Sequence, residues 1–215
     1  MKPDATLQII ERIIPGVNRC YGQGSAALRQ HILRYRFAAA YMRPGDRILD
    51  AACGCGYGSR ILAEAGAEVV SVDRDAPSLE HGRKFYDHER IVWVGADLNR
   101  ITQELESGPV LPESLHRVVS LETLEHLEQP GRALAWFRRC LRPDGLLICS
   151  VPIVPTTAFD SYHLHDFTRE SFLSALEQNG FTPIDQLLQE NCFLTVVACS
   201  GEHPDLECSA VCEQL

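Results

Sequence analysis

The 215-residue chain predicts one α/β domain built on an open, largely parallel sheet. Three observations carry this. Strand-like and helix-like segments alternate along most of the chain. A glycine turn, Gly54-Cys-Gly56-Tyr-Gly58, joins the first apolar strand to a helix. A second apolar strand, Val69-Val-Ser-Val72, ends on a carboxylate, Asp73, 15 residues after Gly58. In open α/β sheets a nucleoside-type ligand lies over the carboxyl ends of such strands, where glycine lets backbone approach it and an acid can hold both ribose hydroxyls.

Each element has its own signal. Leu7, Ile10 and Ile14 have helical spacing over residues 4–14, and Pro15-Gly16 ends that run. After a Tyr21–Gly24 loop, Ser25 can cap a helix to about Met42, with Leu28, Ile32, Tyr35 and Ala39 on one face. Pro44-Gly45-Asp46 turns the chain into a strand over Arg47–Ala51. A helix over Arg60–Ala65 closes at Gly66, Glu68–Val72 is the second strand, and Pro77–Tyr86 the next helix. Ile91–Val94 is a third strand running into Gly95-Ala-Asp97, and Gln103–Glu106 a short helix before Gly108-Pro109.

Arg117–Leu121 reads as the fourth strand, and Gly131–Leu141 as a helix closed by Arg142-Pro-Asp-Gly145. Leu146–Val151 is the fifth strand and stops at Pro152. From Pro152 to Phe167 no periodicity holds, which at this position predicts a loop over the ligand site. Thr168 caps a helix to Asn179 that closes at Gly180, and Phe181–Leu188 with Phe193–Cys199 form a hairpin on the sheet edge. The chain thus divides into a helical cap (1–43), a core (44–200) and a flexible polar tail (201–215).

Composition narrows the function. A formal charge of −9 argues against an extended nucleic-acid groove, which needs clustered Lys and Arg. Arg34, Arg36, Arg43 and Arg47 are candidates for a local basic patch, but read first as solvated helix-face charges. No run reaches 18 apolar residues, and Met1-Lys-Pro-Asp lacks the apolar core of a signal peptide. Of nine cysteines, Cys140, Cys149 and Cys199 read as core, Cys53 and Cys55 lie in the ligand turn, and Cys208 and Cys212 in the tail. None has convincing zinc spacing, so reduced thiols in a cytoplasmic protein are expected.

The cofactor follows from charge. A dinucleotide turn aims bare N–H groups at a pyrophosphate, which Asp50, four residues before Gly54, would repel. That acid suits an ammonium and a sulfonium instead, as in S-adenosylmethionine, leaving Asp73 for the ribose and Asp97 beside the adenine. Leu49–Gly58, Val72-Asp73, Gly95-Ala-Asp97, Val118–Leu127 and Leu141-Arg-Pro-Asp-Gly-Leu-Leu147, in this order, resemble the class I S-adenosylmethionine-dependent methyltransferases over roughly residues 35–200. The resemblance implies a Rossmann-like seven-stranded sheet of order 3-2-1-4-5-7-6 with the last strand antiparallel and helices on both faces. It also implies that Asp50 and the Gly54–Gly56 backbone hold the methionine end, Asp73 the ribose and Asp97 with Leu98 the adenine, while Leu121 lines the sulfonium side. Ala51 and Arg74 flank these positions and are assigned to the same cofactor site.

After the fourth strand comes Glu122-Thr-Leu-Glu125-His126. If a helical turn begins there, positions i, i+3 and i+4 share a face, and two carboxylates and an imidazole meet beside the methyl donor. Such an O/N set suits Mg²⁺ or another hard-to-borderline divalent metal. The motif resembles those of small-RNA 2′-hydroxyl methyltransferases and ubiquinone-pathway O-methyltransferases. Counting back from Thr168-Arg169, His163 takes the place of the former family's later metal-ligating histidine, and His165 is the alternative. The RNA family's flanking basic and histidine residues are largely missing. The acids can equally serve a helix N-terminus, and His126 or His163 can act as a metal-free general base.

The leading expectation is O-methylation of a small hydroxylated acceptor bound between residues 21–41 and the 153–167 loop. Glu11–Gly16 and Arg34–Phe37 resemble bacterial members associated with cell-surface glycan genes, which points to a sugar or another biosynthetic intermediate. RNA 2′-O-methylation, a non-catalytic S-adenosylmethionine-binding protein and a nicotinamide oxidoreductase are the competing readings.

Overall fold

The computed structural model describes residues 26–100, 108–158 and 160–201. Helix α1 (Ala26–Ala39) precedes the alternation β1 (Arg47–Ala51), α2 (Tyr57–Glu64), β2 (Glu68–Asp73), α3 (Ala76–Phe85) and β3 (Ile91–Gly95). A 3-10 turn over Leu98–Arg100 and strand β4 (Leu115–Leu121) follow, then a second 3-10 turn over Leu124–His126. Helix α4 (Pro130–Cys140), β5 (Leu141–Pro152), α5 (Arg169–Gln178), β6 (Thr182–Gln189) and β7 (Phe193–Cys199) come last. The expected helix over 4–14, the Ser25 cap, the Gln103–Glu106 helix and the tail from 202 lie outside the described residues.

The seven strands form one sheet in the order β3-β2-β1-β4-β5-β7-β6. The first five are parallel, while β7 runs antiparallel to both β5 and β6. This is the Rossmann-like order the sequence implied, with β7 inserted beside β5 and β6 left at the edge. Strand alternation separates two cores. Ile48, Val69, Val119 and Ile148 pack under α1 and α2, whereas Leu49, Val70, Val118 and Leu147 pack under α4 and α5.

Several boundaries shift by a few residues, and two of the differences have a clear cause. Gly56 (φ 84) ends the glycine turn, so α2 starts at Tyr57 rather than Arg60. Arg142–Gly145 is not a separate turn closing α4. Leu141 is already extended and pairs with Leu115, and regular pairing resumes from Arg117 and Leu146 after a register shift. At α5 the expected start holds in detail: Thr168 accepts from Ser171 N while Ser171 Oγ accepts from Thr168 N, a reciprocal cap. Cys140, Cys149 and Cys199 are buried, and no helix among the described residues is long and apolar enough to cross a membrane.

Candidate active site

Strand order reverses between β1 and β4, since the chain first builds outward through β2 and β3 and then returns to the other side of β1. At such a switch point the connections diverge and leave a crevice above the strand ends. A cleft of about 1090 Å³ occupies this position. Its floor is the β1–α2 turn, one wall is the ends of β2 and β3, and the other is formed by α1, the end of β4 and the loop after β5.

On the first wall, Asp73 is held by two backbone donors. Its Oδ2 accepts from Gly54 N at 2.9 Å and its Oδ1 from Asp75 N at 2.8 Å. A carboxylate fixed in this way is the acceptor type that suits a vicinal diol. Asp97 accepts from Asn99 N at 3.0 Å and lines the cleft with Leu98, while Arg74 stands exposed at its rim. Leu121 lies across the cleft at the end of β4. Gly54, Asp73, Arg74, Asp97, Leu98 and Leu121 thus surround one space, as the sequence implied. Ala52 joins them in a left-handed conformation (φ 62), which costs a residue with a Cβ about 1–2 kcal/mol and was not expected.

Three residues assigned to the cofactor lie elsewhere. Asp50 has the same parity as Ile48 along β1, so it points beneath the cleft toward α1 and α2. There it accepts from Ser59 Oγ at 2.6 Å and from Tyr35 Oη at 3.1 Å, and it is 1% exposed. Burial pushes its carboxyl up to about 7, against the lowering effect of those hydrogen bonds, with the Asp73 charge adding to the rise. Ala51 faces the opposite core, under α4 and α5. Gly56 is required for packing: at φ 84, a Cβ there would collide with the Trp93 ring, which slots between Gly56 and Gly82.

Helix α1 contributes more than its sequence suggested. Ala27, Gln30, His31 and Arg34, spaced i, i+3, i+4 and i+7, line the cleft together. Arg34 is not a solvated surface charge but 3% exposed. Its Nη1 donates to Gln189 Oε1 at 2.7 Å and its guanidinium lies 4.7 Å over the Phe193 ring. Its Nε has no hydrogen-bond partner among the described residues, and Glu122 Oε1 is 3.9 Å away. His31, whose Nδ1 is 2.6 Å from Tyr57 Oη, is lowered to about 3 by burial and by Arg34.

At the far end, Glu125, His126 and His163 bring one ligand-type atom each to within 4.8 Å of one another. They do not come from one helical face. Glu122 sits at φ 51, which breaks any helix at that point, and only Leu124–His126 form a 3-10 turn. Glu122 instead accepts from Ser150 Oγ at 2.6 Å and lies apart from the trio. The loop delivers the third member. His163 Nδ1 is 2.5 Å from Thr156 Oγ1, and Asp166 fastens the loop's start by accepting from the N–H groups of Thr156 and Thr157. Leu164 N donates to Glu125 O at 2.7 Å, joining loop to turn. His165, the alternative ligand, spends its Nε2 on Leu127 O at 2.8 Å.

His126 Nδ1 donates to Tyr162 O at 3.1 Å, which fixes the tautomer and leaves Nε2 with its lone pair. Burial holds this imidazole below its ordinary value, with His163 and Arg74 acting in the same direction and the Tyr162 bond opposing. The Glu125 carboxylate beside it is fully buried, and its Oε1 is 3.9 Å from His126 Nε2.

Comparison with known proteins agrees with this geometry. Residues 49–149 match the family described as methyltransferase domain. A protein of Mycolicibacterium smegmatis assigned as an S-adenosylmethionine-dependent methyltransferase is 27% identical over 183 residues, 82% of this chain and 66% of its own length. A ubiquinone biosynthesis O-methyltransferase of Xanthomonas campestris is 31% identical over 157 residues, 64% of this chain and 63% of its own. The chain spans less than two thirds of either relative's length. The structure of a Burkholderia thailandensis 1,6-didemethyltoxoflavin-N1-methyltransferase with bound S-adenosylhomocysteine superposes with a TM-score of 0.66 at 20% identity, covering 84% of this chain and 80% of that one. That likeness concerns the fold; the second and third names differ in acceptor, and the first states none. The matched segment runs from β1 into β5, so it spans the glycine turn, the ends of β2 and β3 and the Glu122–His126 turn, and over that stretch the chain is similar to S-adenosylmethionine-dependent methyltransferases.

Proposed function

We propose that this chain transfers the methyl group of S-adenosylmethionine to a hydroxyl of a small-molecule acceptor, with Glu125, His126 and His163 serving the acceptor end. The observation that carries the acceptor half is the convergence of these three side chains beside the donor cleft. Asp73 takes the ribose hydroxyls, and Asp97 with Leu98 the adenine. Arg34 takes the donor's carboxylate, because its buried guanidinium lines the cleft with an Nε–H that makes no hydrogen bond, Glu122 Oε1 standing 3.9 Å off, beyond hydrogen-bond reach. The net charge of −9 favours a small acceptor over RNA.

The trio fits a divalent metal. It offers one buried carboxylate and two imidazoles, and the Tyr162 carbonyl holds His126 in the tautomer that presents Nε2. A metal held there would lower the pKa of the acceptor hydroxyl. The protein's own part is alignment, worth up to about 7–11 kcal/mol in well-oriented systems. With no metal bound, His126, kept neutral by burial, would instead receive the hydroxyl proton on Nε2.

Mn²⁺ titration followed by electron paramagnetic resonance, on the protein loaded with S-adenosylhomocysteine, tests the metal half. Micromolar binding weakened about 10–100-fold in both His126→Ala and His163→Ala is expected. Binding of Mn²⁺, Mg²⁺ and Zn²⁺ that neither substitution alters would sink it. Calorimetry with S-adenosylhomocysteine and NAD tests the donor half, which fails if only NAD binds.

A further inference from the structure

We infer that Gln189 and Phe193, on the last hairpin of the sheet, are positioning residues for the donor's amino-acid end, acting through Arg34. The inference rests on the reading of Arg34 given above. The β6–β7 turn is tight: Glu190 (φ 49) and Asn191 (φ 56) are both left-handed, and Cys192 N donates to Gln189 O at 3.0 Å. Residues 190–192 thus form a three-residue hairpin connection. Gln189 and Phe193 are the register pair next to it, and Phe193 also pairs with Pro152 of β5. Both side chains are therefore carried by the sheet rather than by a loose loop.

From that base the amide of Gln189 reaches α1 twice. Its Oε1 accepts from Arg34 Nη1 at 2.7 Å, and its Nε2 donates to Gln30 O at 3.2 Å. Gln30 and Arg34 are one helical turn apart, so a single amide fixes both the helix and the side chain it presents. The Phe193 ring lies 4.7 Å beneath the guanidinium and itself lines the cleft. With one edge bound to Gln189 and one face on Phe193, the guanidinium loses rotamer freedom before any ligand arrives, and its Nε stays unspent. A purely structural role for Gln189 would require only the bond to the Gln30 carbonyl. The second bond, to a cation in the ligand cleft, is what that role does not explain.

The test compares S-adenosylhomocysteine with 5′-methylthioadenosine, which keeps the adenosine and the thioether but lacks the amino-acid group. Calorimetry gives an affinity ratio for each variant. Arg34→Met is expected to collapse the ratio, and Gln189→Leu to reduce it about tenfold while leaving 5′-methylthioadenosine affinity unchanged. Gln189→Glu, which retains an acceptor for Nη1, should keep the ratio. Phe193→Leu, a second probe that keeps an apolar side chain on the strand but removes the ring face, should lower it about threefold. In the Arg34→Met background, Gln189→Leu should change nothing further. If Arg34→Met collapses the ratio while both Gln189→Leu and Phe193→Leu leave it intact, the positioning inference is overturned and Arg34's role stands. If Arg34→Met itself leaves the ratio intact, the reading of Arg34 is wrong and the inference falls with it.

Discussion

Replacing Asp50 by asparagine should change how stability depends on pH, because Asp50 is an acid held in its protonated form by burial. Its carboxyl rises from 3.8 to about 7 on folding. Below pH 3.8 both folded and unfolded chains keep the proton, and Asp50 contributes no slope. Between that pH and about 7 the unfolded chain releases the proton while the folded chain retains it, so stability falls as pH rises, by about 1.4 kcal/mol per unit. The slope ends above pH 7, by which point the accumulated loss is about 4 kcal/mol. The substituted amide does not titrate, yet its oxygen can still accept from Tyr35, and the Ser59 hydroxyl can rotate to accept from its NH₂. Urea unfolding of both proteins at several pH values from about 4.5 to 8.5, without ligand, isolates the effect, since the remaining carboxylates cancel in the difference. The variant should gain on the wild type steadily across this range and level off above neutrality. A difference that stays flat with pH would refute the reasoning.

Two further outcomes follow from contacts already described. Gly58→Ala would drive a Cβ into the buried Tyr35 ring, so that ring or α1 must shift. We expect a loss of about 1–3 kcal/mol, read as a fall of several degrees in Tm, together with weaker S-adenosylhomocysteine binding. Asp166→Ala removes the carboxylate that fastens Thr156 and Thr157, and whose own pKa those contacts lower to about 2. Amide exchange at residues 156–165 should accelerate and Mn²⁺ affinity should fall severalfold. Unchanged exchange would mean that the loop is held by other contacts.

The parts of this molecule that were legible in its sequence are those set by local physics. Apolar runs marked all seven strands, and Thr168 with Gly180 bounded α5. Asp73, Asp97, Leu98 and Leu121 reach the cleft because the end of a parallel strand fixes where its last side chains emerge. Partners distant along the chain were not legible. Asp50 was assigned to the ligand because of its place in the glycine motif, but strand parity turned it toward Tyr35 and Ser59. Glu122 left its expected trio because a left-handed backbone follows β4, a geometry that no glycine announced. Arg34 read as a surface charge because its burial depends on Gln189 and Phe193, far away in sequence. The i, i+3, i+4, i+7 stripe of Ala27, Gln30, His31 and Arg34 was the available signal, since it is a second face of α1, distinct from the apolar one.

The clasp of Gln189 on Arg34 also bears on synthesis. These two residues are 155 positions apart, so a ribosome adding about 5–20 residues per second makes Gln189 roughly 8–30 s after Arg34. Throughout that interval the nascent chain already carries β1, the glycine turn and Asp73, yet the guanidinium beside them has no hairpin to hold it. A chain cut short before β6 would therefore carry Asp73 and Arg34 without the hairpin that holds the guanidinium.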